Sequence, residues 1–191
     1  MSSDFIIIDI ETAPLNFELY FSLVEEERLK MLNPIDSKII AIGIRHNSEN
    51  YIFSGNDEKK ILEDFWSELS SMRKGDDSVK IVGFNIADFD MSFLTTRSFI
   101  NGVAISPFKL KNLVDLREKI SAYRHKPKGR LRDFAKILGI THMNGDGKDI
   151  AELARNGDMI SIQKHLEGDL ITTEELLKRA NELNITKIER W

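Results

Sequence analysis

No cysteine occurs among the 191 residues. That excludes disulfides, thiolate metal sites and cysteine nucleophiles. Histidine is scarce too. His46, His125, His142 and His165 are the four present, and none falls in HExxH-type spacing, which argues against a zinc hydrolase. No apolar run approaches the length of a membrane span, and the first residues lack a basic-then-apolar signal. The expectation is an intracellular, cytoplasmic protein with no membrane partner. Excess basic charge is also missing. The net charge is −4, so the field of the whole molecule does not favour a polyanion, and any such contact must come from a local basic patch. There is no repeat, low-complexity tract or Pro/Gly-rich linker. With 41% hydrophobic residues, the chain suits one domain with a full-sized core, spanning residues 1–191.

What is present reads as alternating α and β structure. Phe5 to Ile8 is β-branched and aromatic enough for a buried strand. Residues 13–33 form a long connection, partly helical in pattern, with Leu23, Leu29 and Leu32 among acidic residues. Residues 38–45 and 51–53 predict two further strands. Breaks at His46-Asn47-Ser48 and Gly55-Asn56 make these an antiparallel meander. Ile61, Leu62, Phe65, Trp66 and Leu69 follow helical spacing within a helix over 58–72. A fourth strand over 80–84 is reached through that helix and is expected parallel to the first. A helix over 91–101 should stop at Gly102. A fifth strand is expected at 113–116, a short helix over 131–138 ending at Gly139, and a long final helix over 161–183. The economical arrangement is an α/β fold, a mixed five-stranded sheet flanked by helices on both faces.

Acidic residues recur where this arrangement converges. Asp9 and Glu11 follow the first apolar run, and strand periodicity puts them on one face. A core-facing carboxylate pair is costly unless a cation neutralises it, and a divalent metal is the simplest cation. A solvated strand end is the competing explanation. In Gly83-Phe84-Asn85-Ile86-Ala87-Asp88-Phe89-Asp90 a strand ends, a tight turn follows, and Asp88 or Asp90 opens the next helix. One of the two could merely cap it. On the final helix, His165 and Asp169 are i and i+4 and share a face beside the Leu166–Leu170–Thr173–Leu177 stripe. A surface His–Asp pair is the simpler alternative there. Gly168 inside that helix costs roughly 1 kcal/mol against Ala, which points to close packing or a close ligand.

Together these motifs resemble the DEDD superfamily of 3′–5′ exonucleases, which has an RNase H-like fold. The carriers are Asp-Ile-Glu-Thr at residues 9–12, Asn85-x-x-x-Phe89-Asp90, and a ring-bearing residue four before Asp169. The wording Gly-Phe-Asn-Ile-x-x-Phe-Asp-x-x-Phe-Leu at 83–94 is most similar to the exonuclease domain of family B DNA polymerases and its stand-alone relatives. The resemblance covers Phe5 to about Arg179. It implies Asp9, Glu11, Asp90 and Asp169 as metal ligands, with Asp90 preferred over Asp88 because it follows the motif's Phe. It also implies Mg²⁺ or Mn²⁺, two ions per site, roughly 4 Å apart. Asp9 would bridge them, Glu11 and Asp169 would complete the tighter site, and Asp90 the looser one. The polymerase-like subclass carries Tyr-x-x-x-Asp in the third motif. Here His165 takes the tyrosine's place and would orient or deprotonate the attacking water. Thr12 would hold the terminal 3′-hydroxyl, and Asn85 belongs to the substrate-facing second motif.

The one dense basic run spans Arg124 to Arg132, with five Lys or Arg in nine positions. Lys126, Lys128 and Arg130 are expected to follow the phosphates of the substrate from a loop. A solvated charged loop is the alternative. Core or loop packing is the favoured role of Phe89 and Phe17, with stacking on terminal bases the alternative. The expected partner is single-stranded nucleic acid with a free 3′ end, DNA favoured over RNA. An exoribonuclease of the same fold and a binding module that has lost catalysis are the alternatives. No polymerase module follows the last motif in these residues, so proofreading within this chain is not expected.

Overall fold

The protein is described by a computed structural model over residues 5–76, 78–140 and 150–189; His142 lies outside the described residues. Strands β1 (Phe5–Pro14), β2 (Ser37–His46), β3 (Glu49–Ser54), β4 (Lys80–Gly83) and β5 (Leu113–Asp115) form one sheet in the order β3-β2-β1-β4-β5. The first three are antiparallel neighbours, and β1–β4 and β4–β5 are parallel. Asn47 and Ser48, both at positive φ, close the β2–β3 hairpin in two residues, the turn geometry that matches strand twist. The mixed sheet is the expected one. Helix α3 (Glu58–Arg73) makes the crossover from β3 to β4.

Alternation along β1 divides the core. Ile6, Ile8 and Ile10 pack with Leu62, Phe65, Trp66 and Leu69 of α3 and with Phe93 and Leu94 of α4 (Asp90–Asn101). Ile7 and Ala13 face the other way, onto Ile162, Leu166, Leu170 and Leu177 of α8 (Met159–Glu182). Asp9 and Glu11 share the second set's parity and therefore face α8. Gly43 of β2, the partner of Asp9 in the ladder, lets that helix settle close. A Cβ at residue 43 would lie 2.6 Å from Leu170 Cδ1 and 3.1 Å from Leu166 Cγ.

Two differences from the sequence expectation matter for the site. First, β1 continues to Pro14, so Asp9 and Glu11 sit inside the strand rather than at its end. The neighbour ends instead: β4 stops at Gly83, and its pairing with β1 spans only Phe5 to Ile7. Second, β2 carries one extra residue, Ile40, between the Glu11–Ala41 and Thr12–Ile39 pairs. A bulge strands one amide, and the Ile39 amide donates instead to Glu58 Oε1 at 2.7 Å. Glu58 is held in turn by Arg97 at 2.9 and 2.6 Å.

The connection after β1 holds two short helices, α1 (Phe17–Ser22) and α2 (Glu25–Lys30). The helical pattern expected in this connection is present, and Leu29 and Leu32 are exposed. Helix α4 ends at Gly102 and α6 (Leu131–Leu138) at Gly139, both left-handed caps as expected. The sequence pattern did not reveal α5 (Leu116–Ile120) or α7 (Ile150–Asn156), both short. Among the described residues no helix is long and apolar enough to cross a membrane.

Candidate active site

Where β4 stops, the β1 edge has amides with no strand beside them. Asp90, at the first turn of α4, fills that gap: its Oδ1 accepts from Ile10 N at 3.2 Å. Asp90 is 3% exposed, whereas Asp88 faces solvent. Neither caps α4; Phe89 holds the cap position with no side-chain bond. Of the two aspartates, Asp90 is the one the fold turns inward, against β1.

From the other side, α8 brings His165 and Asp169 over β1. His165 Nδ1 donates to Glu11 Oε1 at 2.8 Å and lies 3.8 Å from Asp169 Oδ2. The main partner of the imidazole is therefore the first motif, not its i+4 neighbour. Ligand atoms of Glu11, His165 and Asp169 all lie within 4.8 Å of one another.

The electrostatics join the four acids into one group. Burial raises the Asp9 pKa well above the usual carboxylate range, and the charges of Asp90, Asp169 and Glu11 raise it further. Burial pushes Asp90 up to about 8 against its backbone hydrogen bonds. Asp169 is pushed to about 7, again by burial, with His165 opposing and Glu11 adding. Burial also raises Glu11, which the bond and charge of His165 counter. The imidazole itself is raised, first by its bond to Glu11. One histidine cannot neutralise four acids.

Two buried polar atoms in this group, Asp169 Oδ1 and His165 Nε2, have no hydrogen-bond partner. Unsatisfied buried atoms in a native site call for a ligand. The donors are carboxylate oxygens plus one imidazole nitrogen, a set suited to Mg²⁺ or Mn²⁺. On both counts the residues fit the metal ions that the motifs imply.

The turn that delivers Asp90 is fixed by a residue that no motif singled out. Asp115, 5% exposed, accepts from Asn85 N (3.0 Å) and Ala87 N (3.1 Å) in the turn. The same carboxylate caps α5 through Arg117 N (2.9 Å) and Glu118 N (3.2 Å). Asn85 adopts φ 65° there. Arg117 then donates to Asn85 Oδ1 (2.9 Å) and to Pro127 O in the basic segment (2.6 Å). The side-chain carbonyl of Asn85 thus holds the turn. A signal was available: Asp115-Leu116-Arg117-Glu118 has the spacing of a helix start with an acid at its third residue.

A cleft of 580 Å³ opens beside the acids. Glu11, Thr12, Phe89 and Arg130 line it, together with Tyr20, Phe21 and Arg28 of the α1–α2 segment. Thr12 and Phe89 are thus both on the cleft wall, and Phe89 also packs on Phe93 at 4.8 Å. Of the basic segment only Arg130 reaches the lining; Lys126 and Lys128 are exposed outside it. Phe17 stacks on Phe21 at 6.5 Å.

Residues 37–184 match the family described as "Predicted 3'-5' exonuclease related to the exonuclease domain of PolB". The matched stretch includes Asp90, His165 and Asp169; Asp9 and Glu11 precede it. An uncharacterized protein of Methanocaldococcus jannaschii is 35% identical over 159 residues, which are 77% of this chain and 88% of that one. The structure of the family B DNA polymerase from the hyperthermophilic archaeon Pyrobaculum calidifontis is similar over 95% of this chain, with a TM-score of 0.70 at 14% identity. This chain spans 25% of that polymerase's length, and the likeness is one of fold, a mixed five-stranded sheet with helices. By its match and its relative, the chain belongs to the family of predicted 3′–5′ exonucleases related to the exonuclease domain of PolB.

Proposed function

We propose that this protein is a two-metal-ion 3′–5′ exonuclease that releases nucleotides from the 3′ ends of single-stranded DNA, with residues 1–191 acting as one catalytic domain. The observation that carries this is the convergence of Asp9, Glu11, Asp90 and Asp169, all with raised pKa values and no cation but His165 among them. A module that only bound nucleic acid would gain nothing from repulsive acids beside phosphate.

Asp9, Glu11, Asp90 and Asp169 would hold the ions through their carboxylate oxygens. Bound divalent ions would supply charge stabilisation on the phosphoryl and leaving oxygens and a more acidic water. The protein's own groups do the rest. With Nδ1–H given to Glu11, a neutral His165 keeps its lone pair on Nε2, the buried atom with no other partner. That nitrogen orients the attacking water or takes its proton. Thr12 on the cleft wall receives the terminal 3′-hydroxyl, and Phe89 packs against the terminal base. Arg130 neutralises a phosphate at the cleft, while Lys126 and Lys128 attract the strand from outside it.

The test is a time course on 5′-labelled single-stranded DNA and RNA of equal sequence, with Mg²⁺, Mn²⁺ or EDTA. The expected result is a ladder shortening by single nucleotides, faster on DNA and absent in EDTA. Faster RNA shortening would make the enzyme an exoribonuclease. No shortening of either strand would end the nuclease reading.

A further inference from the structure

The cleft extends past the acids to the α1–α2 segment, which the motifs do not explain. Arg28 lines it in an unusual setting. Its Nε donates to Tyr20 O (3.0 Å) and Leu23 O (2.9 Å), and its Nη2 to Phe21 O (3.0 Å). Its guanidinium lies 5.4 Å from the Tyr20 ring centre and 5.5 Å from that of Phe21. Arg155 of α7 lies 4.9 Å from the same Phe21 ring. Among the described residues, none of Arg28, Arg130 and Arg155 is paired with a carboxylate. Capping the carbonyls at the end of α1 accounts for one edge of Arg28. Those acceptors are neutral, so they fix the guanidinium without cancelling its charge. Nη1 makes no hydrogen bond among the described residues and is free for a phosphate oxygen. Tyr20 and Phe21 are half-buried, and both rings line the cleft.

We propose that α1 and α2 form the subsite for the second nucleotide from the 3′ end. Arg28 binds the phosphate next upstream of the scissile one, and Tyr20 carries the base. This rests on the nuclease reading, which places the scissile phosphate at the carboxylates and the terminal nucleotide beside Thr12. The 580 Å³ cleft is larger than one mononucleotide fills. Glu25 and Glu152 also line it, so its preference for a strand comes from where the guanidinium sits rather than from net charge. A cation fixed beside half-buried rings that line a cleft is a combination that single strands use for phosphate and base together.

The experiment couples protein and substrate changes. Binding of 5′-fluorescein oligothymidylate is measured in EDTA, using strands with one uncharged methylphosphonate at the first, second or third linkage from the 3′ end. A second set carries an abasic second nucleotide. For wild type, neutralising the second linkage should weaken binding about tenfold, the size of one charged hydrogen bond. In Arg28→Gln that penalty should shrink below about twofold, while the penalties at the other linkages persist. In Tyr20→Leu the abasic penalty should vanish. Equal penalties in wild type and variants would overturn the subsite. If Arg28→Gln does not fold, the wild-type linkage scan and Tyr20→Leu decide: no step at the second linkage, or an unchanged abasic penalty, overturns it. A wild-type protein that shortens the labelled strand but shows additive penalties loses only the subsite. One that neither binds nor shortens the strand loses the nuclease reading with it.

Discussion

Glu58 and Asp90 are both buried acids, 8% and 3% exposed, but their surroundings differ. Glu58 receives hydrogen bonds from Ile39 N, Arg97 Nε, Arg97 Nη2 and Asn101 Nδ2, at 2.7, 2.9, 2.6 and 3.1 Å. Asp90 accepts only from backbone amides, that of Ile10 and its own, and the charges of Asp115 and Glu11 raise it further. The first acid is satisfied by the fold and fixes a bulge. The second belongs to a group whose mutual repulsion is relieved by bound protons or by an added cation. Burial alone does not identify a functional carboxylate. A missing counter-charge does.

The sharpest way to break this comparison is to delete an acid from each group. Asp9→Ala or Asp169→Ala should lower hydrolysis by about 10³-fold or more, since several kcal/mol of charge stabilisation would go with the metal site. In EDTA the same variants should be as stable as wild type or more so, because like charges are removed. Glu58→Ala should instead destabilise by about 3–5 kcal/mol, leaving Arg97 buried and unpaired. Denaturant unfolding in EDTA, beside the nuclease assay, checks both. If Asp9→Ala unfolds as readily as Glu58→Ala, the two groups are alike and the comparison fails.

His165 is the one cation within the acidic group, so its removal comes next. His165→Ala should lose on the order of 10²-fold in rate while strand binding survives. The wild-type rate should rise with pH through the imidazole titration, and the variant's profile should lose that limb. Superimposable profiles of similar height would make the histidine structural.

Stability against pH separates the groups without any substrate. The folded pKa values of Asp90 (about 8) and Asp169 (about 7) lie above the ordinary 3.8, and His165 is raised above 6.5. The folded protein then holds protons that the unfolded chain has released. Metal-free stability should therefore be greatest at low pH, near the unfolded carboxylate pKa, and decline as pH rises through 7 and 8. Melting temperatures in EDTA between pH 5 and 9 would show the decline. Mn²⁺ should reverse it, because ions bind the deprotonated acids. A flat or rising metal-free profile contradicts the proposed repulsion.

Smaller effects test the margins. Neutralising Lys126, Lys128 and Arg130 together should flatten the salt dependence of strand binding, by about 0.7 in log–log slope for each phosphate that the variant no longer neutralises. An unchanged slope returns the segment to solvated surface. Asp88→Ala should alter the rate less than about twofold, the margin of an exposed side chain outside any special feature, where Asp90→Ala removes activity. The reverse outcome would shift the second motif by two residues.

Much of this was readable from local pattern. The alternation of β1 placed Asp9 and Glu11 on one face, and i,i+4 spacing placed His165 with Asp169, because both signals need only a few residues. Where the strand stopped was not readable. Asp9 and Glu11 belong to a strand that runs on to Pro14, and the edge they need comes from β4 ending at Gly83. Asp115 escaped notice because two of its four amide donors lie 28 and 30 residues upstream.

Gly43 carries no functional group, yet it sets a clearance. Leu166 and Leu170 rest where its side chain would be, and His165 and Asp169 are their immediate neighbours along α8. Any larger residue at 43 would force Leu170 and Leu166 to repack, in the same turns of α8 that carry His165 and Asp169. The spacing of the charged parts is gauged by the touch of a hydrogen atom on two leucines. A survey of this protein's chemistry by polar residues alone would pass over the position that holds its tolerances.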